Sequence, residues 1–149
     1  MGGNSQPQFT RDGNIQSVAI TAAGTSSEGG IVIGTSGFLA FVADATNGSY
    51  VDFLRLFPTA SAASTAMAAT VCRIFVASIS TGTTTTATAW CIGEVALPAQ
   101  TVDAPTAAFN PIDYPLGFRL PAGYAILVTN HAAPNASTQW QATVFGGDY

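Results

Sequence analysis

The chain has 149 residues, of which 48% are hydrophobic and only 8% charged, against about 25% charged in ordinary soluble domains. It contains no lysine, its basic residues are Arg11, Arg55, Arg73 and Arg119, and its net charge is −4. With no basic run to grip phosphates, no nucleic-acid partner is expected, and no apolar run approaches the ~20 residues of a membrane helix.

Residues 1–14 are polar, with Gly, Pro and Asn, and are expected to form an extended N-terminal arm ahead of a single domain over 15–149. Met1-Gly2-Gly3-Asn4-Ser5-Gln6 has no basic region followed by an apolar stretch, as an export signal would, and Gln6 stands where a myristoylation signal wants Ser or Thr. The first strand is expected from Ile15 to Ala22. After a Gly/Ser-rich break come the apolar Ile31-Val32-Ile33 and a strand from Phe38 to Ala43, bounded by the turn dipeptide Asn47-Gly48. Tyr50 to Phe57 follows, closed by Pro58. Its alternate faces, Val51/Phe53/Arg55/Phe57 and Tyr50/Asp52/Leu54/Leu56, are both partly apolar, the pattern of a strand covered on both sides.

Residues 59–70, rich in Ala, Ser and Thr, read as a loop with room for one helical turn. Val71 to Ser78 is a strand, Thr81 to Thr88 a Thr-rich loop, and Trp90 to Leu97 a strand stopped by Pro98. The stretch 98–115, with Pro98, Pro105, Pro111 and Pro115, reads as irregular because proline cannot donate to a ladder. Leu116 to Leu120, the turn Pro121-Ala122-Gly123, a strand from Tyr124 to Thr129 and a loop from His131 to Ser137 lead to the last strand, Thr138 to Phe145. There Trp140, Ala142 and Val144 share one face, and Gln139, Gln141 and Thr143 the other. Eight or nine short strands without an amphipathic helix predict an all-β fold: a single jelly-roll-like, two-sheet antiparallel sandwich of about eight strands with an extended N-terminal arm.

The sequence offers no catalytic constellation, and it reads as a protein that is not an enzyme. Its one histidine, His131, falls in a loop, and Gly34-Thr35-Ser36-Gly37 lacks the spacing of a nucleophile elbow. One His and two Cys do not make a zinc site, and Asp44, Asp52, Asp103 and Asp113 are scattered without calcium-loop spacing. No cofactor, metal or small-molecule ligand is expected. Glu94, mid-strand, is read as a cross-strand partner of Arg73 or Arg55. A tight turn at Thr81-Gly82 would set Cys72 opposite Cys91, whereas a longer loop separates them by on the order of 10 Å. Oligothreonine makes a poor tight turn, so the longer loop and free buried thiols are expected. Asn47-Gly48-Ser49 and Asn135-Ala136-Ser137 match the glycosylation pattern, which is short and common by chance. Trp90, Trp140, Tyr114 and Tyr124 read as core, the other reading being the sugar-stacking rings of a carbohydrate-binding module.

A surface of Ala, Thr and Ser loses little when it is covered, because few charges must be desolvated. The low charge therefore suits permanent assembly, the plainer reading being an exported protein with a polar, neutral surface. From Arg11 to Tyr149 the chain resembles a family of small tailed-phage virion proteins. The resemblance is carried by Asn14-Ile15, Asn47-Gly48-Ser49 before Val51-Asp52 and Arg55, Arg73-Ile74-Phe75, Trp90, Glu94-Val95-Ala96-Leu97-Pro98-Ala99, Leu120-Pro121-Ala122-Gly123-Tyr124, Trp140 and the terminal Gly146-Gly147-Asp148-Tyr149. It implies a bacteriophage virion structural protein, often a capsid decoration or cement protein that stabilises the head by bridging capsid subunits. A tail, collar or fibre position is the alternative. The implied partners are the major capsid protein or other virion proteins, with a homotrimer favoured and the virion, assembled in the host cytoplasm, as its location. The chain departs from the family in segment 59–70 and in carrying Cys72 and Cys91. Interface residues are expected in the arm (Gln6, Gln8, Phe9, Arg11) and at the C-terminus (Asp148, Tyr149).

Overall fold

The computed structural model describes residues 10–62, 65–103 and 108–149. Ten strands occur among them, in chain order β1 (Asp12–Ile20), β2 (Phe38–Val42), β3 (Ser49–Ala60), β4 (Thr65–Met67), β5 (Thr70–Ala77), β6 (Ala89–Leu97), β7 (Gln100–Val102), β8 (Ile112–Leu120), β9 (Ala125–Asn130) and β10 (Thr138–Asp148). Eight long strands form two four-stranded antiparallel sheets, in the orders β1-β10-β3-β8 and β2-β9-β5-β6, while β4 and β7 make a small separate pair. The pairs β1·β10, β2·β9, β3·β8 and β5·β6 nest inside one another. The first long strand pairs with the last, the second with the next to last, and so inward, as when one long hairpin is rolled up. That is a jelly roll.

The core lies between the sheets. Laterally paired inward residues, such as Val18, Ala142, Leu56 and Ile112, meet buried Phe41, Cys72, Ile74, Ile126 and Val128 of the opposite sheet. Trp140 is 1% exposed at one end of this core, with Phe109 edge-on at 5.7 Å between ring centroids. A second small core of Ile31, Phe75, Ala77, Ala89 and Leu127 fills the other side of the second sheet. The apolar run Ile31-Val32-Ile33 thus lies in the β1–β2 connection, and its Ile31 supplies part of this second core.

Several boundaries differ from the sequence reading. Strand β1 starts at Asp12, not Ile15, because Asp12, Gly13 and Asn14 pair with the end of β10. The expected loop over 59–70 is partly strand: β3 runs on to Ala60, β4 occupies Thr65–Met67 and β5 begins at Thr70. The expected irregular stretch 98–115 contains β7 and the start of β8. Both strand prolines sit where no donor is needed. The ladder between β3 and β8 stops at Leu56↔Ile112, so nothing on that side asks Pro58 for an N–H. Pro115 lies on the edge strand β8 beside a register shift.

One side of the sandwich is closed by a side chain. Gln16 of β1 donates from Nε2 to the Val42 carbonyl (2.8 Å) and accepts the Val42 N–H at Oε1 (2.9 Å). Its amide acts as a peptide group and pairs the edge strand β2. On the opposite side the Tyr114 hydroxyl of β8 donates to the Ile92 carbonyl of β6 (3.1 Å).

Candidate protein interface

Both faces of β3 are apolar, but the described residues bury only one of them fully. Beyond the register shift between Val51 and Phe53, Leu54 and Leu56 turn inward and are fully buried. Phe53, Arg55 and Phe57 point out of the sandwich, where no sheet lies over them. Strand pairing extends this into rows across the outer face. Ile15, Phe145, Phe53 and Pro115 stand side by side on β1, β10, β3 and β8; Ser17, Thr143, Arg55 and Asp113 form the next row; Ala19, Gln141 and Phe57 the one after. Ile15 is 63% and Phe57 40% exposed, the first being the most open of the large apolar side chains described.

The face is preorganised. Phe53 and Phe145 stack at 4.6 Å with ring planes 14° apart. The Arg55 guanidinium lies 5.4 Å from one ring centroid and 5.6 Å from the other. Arg55 also makes two near-parallel bonds to the Asp113 carboxylate, Nε to Oδ1 at 2.7 Å and Nη2 to Oδ2 at 2.8 Å. The hydrogen bond from Arg55 holds the Asp113 carboxyl below the usual carboxylate range. Beside this pair, Ser17, Thr143 and Gln141 bind one another through Oγ···Oγ1 (2.8 Å) and Nε2→Oγ (2.5 Å) contacts. The polar groups of these rows are therefore largely satisfied among themselves, and their cation, Arg55, is neutralised. Aromatic rings with an arginine are the composition that dominates binding energy at protein interfaces.

Of the expected interface residues, Arg11, Asp148 and Tyr149 are not members of these rows. Gln6, Gln8 and Phe9 lie outside the described residues. Arg11, Asp148 and Tyr149 meet at one end of the sandwich, where the Arg11 N–H donates to the Asp148 carbonyl (2.7 Å). The Asp148 carboxylate is engaged within its own domain, accepting from Asn14 Nδ2 (2.9 and 3.0 Å) and from buried Ser49 Oγ (2.5 Å). Tyr149 packs its ring under the Arg119 guanidinium, 4.6 Å from the ring centroid, and its N–H reaches the Gly48 carbonyl (3.3 Å). Gly146 lets β10 approach β3 here, since a Cβ on it would stand 2.3 Å from the Tyr50 carbonyl oxygen. Nearby, Asp44 caps the turn into β3 by accepting the N–H groups of Asn47 (2.7 Å) and Thr46 (3.0 Å), which hold its carboxyl below the ordinary value.

The remaining candidates resolve one by one. Arg73 pairs with Glu94 directly across β5 and β6 at 2.6 Å, one of the two partners expected for Glu94. His131 is exposed, 3.4 Å from Arg73 Nη1. Cys72 pairs with Val95 and Cys91 with Phe75, so the long loop separates the cysteines and both thiols are free. Cys72 is buried, and desolvation pushes its thiol up to about 12. Cys91, expected buried, is exposed on the edge strand β6. Of the four rings weighed as core, Trp140 is buried and Trp90 is 44% exposed. Among the described residues no three His, Cys, Asp or Glu side chains are grouped to hold a metal ion.

No protein-family model and no curated protein matches the chain. Among solved structures, that of infectious bursal disease virus, Gx strain, aligns with 97% of this chain at 10% identity and a TM-score of 0.30, and the chain spans 36% of the length of that one. A likeness of this size identifies neither a family nor a function.

Proposed function

We propose that the chain is a virion structural protein, a capsid decoration or cement protein of a tailed phage that bridges capsid subunits, and that it does no catalysis. The observation that carries this reading is the open, self-neutralised apolar face of β1-β10-β3-β8 on a domain with 8% charged residues. Covering such a face releases water from apolar surface and desolvates few charges. The resemblance to small tailed-phage virion proteins supplies the particle as the setting, with the major capsid protein or other virion proteins as partners. Several such contacts per assembled unit would act by multivalency, so each can be weak.

Particles assembled with and without the protein test the reading. The expected result is a head that loses its contents at lower temperature without the protein and recovers when purified protein is added back. Particles that keep the same surface and thermal stability without it would overturn the proposal. Immunogold labelling confined to the tail would move the protein to the collar, tail or fibre and refute the decoration role.

A further inference from the structure

We infer that Asn47 is a deamidation site that the fold holds shut. The inference concerns the chain's own chemistry and stands apart from the assembly reading. Asn47-Gly48 is the sole Asn-Gly pair of the sequence. A glycine nitrogen has no neighbouring Cβ to shield it and sits in the most mobile kind of backbone, so once released it readily attacks the preceding carboxamide. In that reaction the Gly48 nitrogen bonds to Asn47 Cγ and the Cγ–Nδ2 bond breaks. Nδ2 leaves as ammonia, taking up the proton of the Gly48 N–H. Water then opens the resulting succinimide at either carbonyl, leaving aspartate or isoaspartate at position 47.

Asn47 is exposed, so water reaches it, while Gly48 is buried. Each polar group of the two backbones is engaged. The Asn47 N–H donates to Asp44 Oδ1 (2.7 Å), and the Asn47 carbonyl accepts from Arg119 Nη2 (3.0 Å). The Gly48 N–H donates to the Asp44 carbonyl (3.2 Å), and the Gly48 carbonyl accepts the Tyr149 N–H (3.3 Å). To attack, the Gly48 nitrogen must give up the proton it shares with Asp44, and the pair must rotate about bonds that these contacts fix. Gly48 has little room to turn, because the chain after β8 already lies against it: a Cβ there would stand 2.4 Å from the Leu120 carbonyl oxygen. The reaction therefore waits for the turn to open, a local event that leaves both sheets formed.

Once the reaction has occurred the turn cannot reclose as before. Isoaspartate adds a carbon to the main chain just ahead of Gly48, and either product sets a second carboxylate beside Asp44. The lengthened turn loses the fit against Leu120 and with it the contacts to Arg119 and Tyr149. The end of the sandwich that holds the C-terminus is thereby loosened.

Peptide mapping by mass spectrometry tests the inference, with the full chain stored in one mildly alkaline buffer with and without urea. In urea, Asn47 is expected to convert ahead of every other asparagine. In the native protein its conversion should be slower by about tenfold or more, the factor for an opening that breaks two hydrogen bonds. Asp44→Ala removes the acceptor of the Asn47 N–H and should speed native conversion. Ile74→Val weakens the buried core in β5 without touching the turn, so it should leave that rate nearly unchanged. Thermal unfolding verifies that both variants are folded at the storage temperature. Native conversion as fast as in urea, another asparagine converting first in urea, or an unchanged rate in Asp44→Ala would each overturn the inference. Equal acceleration by Ile74→Val would also overturn it, since the reaction would then follow global unfolding rather than opening of this turn.

Discussion

Replacing Gly48 with alanine should be among the most damaging single-methyl changes in this protein. Gly48 has φ +77°, and a Cβ on it would stand 2.4 Å from the Leu120 carbonyl oxygen and 3.1 Å from the Ala122 nitrogen. The left-handed backbone costs an alanine about 1–2 kcal/mol. The overlap is with backbone rather than a flexible side chain, so the chain crossing after β8 must move or the turn must open. Together these place Gly48→Ala at about 3 kcal/mol, the upper end of ordinary substitutions. Gly123→Ala is the internal control. Gly123 has φ +73° in the turn closed by the Tyr124 N–H on the Pro121 carbonyl, but nothing stands within 4 Å of its would-be Cβ. It should pay only the conformational cost, offset by about 0.4–1 kcal/mol because alanine also restricts the unfolded chain. Urea unfolding followed by the fluorescence of buried Trp140 measures both, the midpoint shifting with unchanged slope. Equal destabilisation by the two variants would refute the steric argument, as would a Gly48→Ala cost under about 1 kcal/mol.

Three further outcomes are expected. Gln16→Ala should cost about 1–3 kcal/mol, because both Val42 backbone groups lose their side-chain partner, whereas Gln16→Glu should retain the acceptor and orphan only the Val42 carbonyl; urea midpoints separate the two. A thiol reagent on the native protein should label Cys91 alone, with Cys72 reacting only on unfolding; rapid labelling of both would refute the burial of Cys72. Asp44 has a carboxyl held low by the Asn47 and Thr46 N–H groups, so its contribution is present above the ordinary carboxylate value and lost as pH falls through the lowered one; Asp44→Ala should flatten the acid limb of stability below about pH 4, and an unchanged limb would exclude Asp44 as its source.

Much of the fold was legible because strand periodicity is a local signal. The last strand alternates Trp140, Ala142 and Val144 with Gln139, Gln141 and Thr143, and its faces are as the alternation predicts. What failed was reading every proline as a break: Pro98 does follow the end of β6, but two others do not end a strand. Pro58 and Pro115 both lie inside strands, since whether a proline breaks a ladder depends on whether a neighbour needs its N–H. Trp90 failed for a related reason: it lies beyond a register shift in β6, which is an edge strand, and is 44% exposed. The candidate interface was half visible. The two apolar faces of residues 50–57 announce a strand to be covered twice, but their parity changes at the register shift beside Asp52, which alternation alone cannot place. The terminal residues Asp148 and Tyr149 were singled out because they end the chain, and their side chains are held by Asn14, Ser49 and Arg119.

The sequence by itself determined the class of fold and a composition with little charge to desolvate. These follow from composition and from contacts between near neighbours. Only the tertiary structure decided that Ile15, Phe145, Phe53 and Pro115 form one row, because that row joins residues far apart in the chain through three strand ladders. It also decided that the row faces outward, since which side of a sheet is covered depends on where the second sheet lies, and no local pattern encodes that.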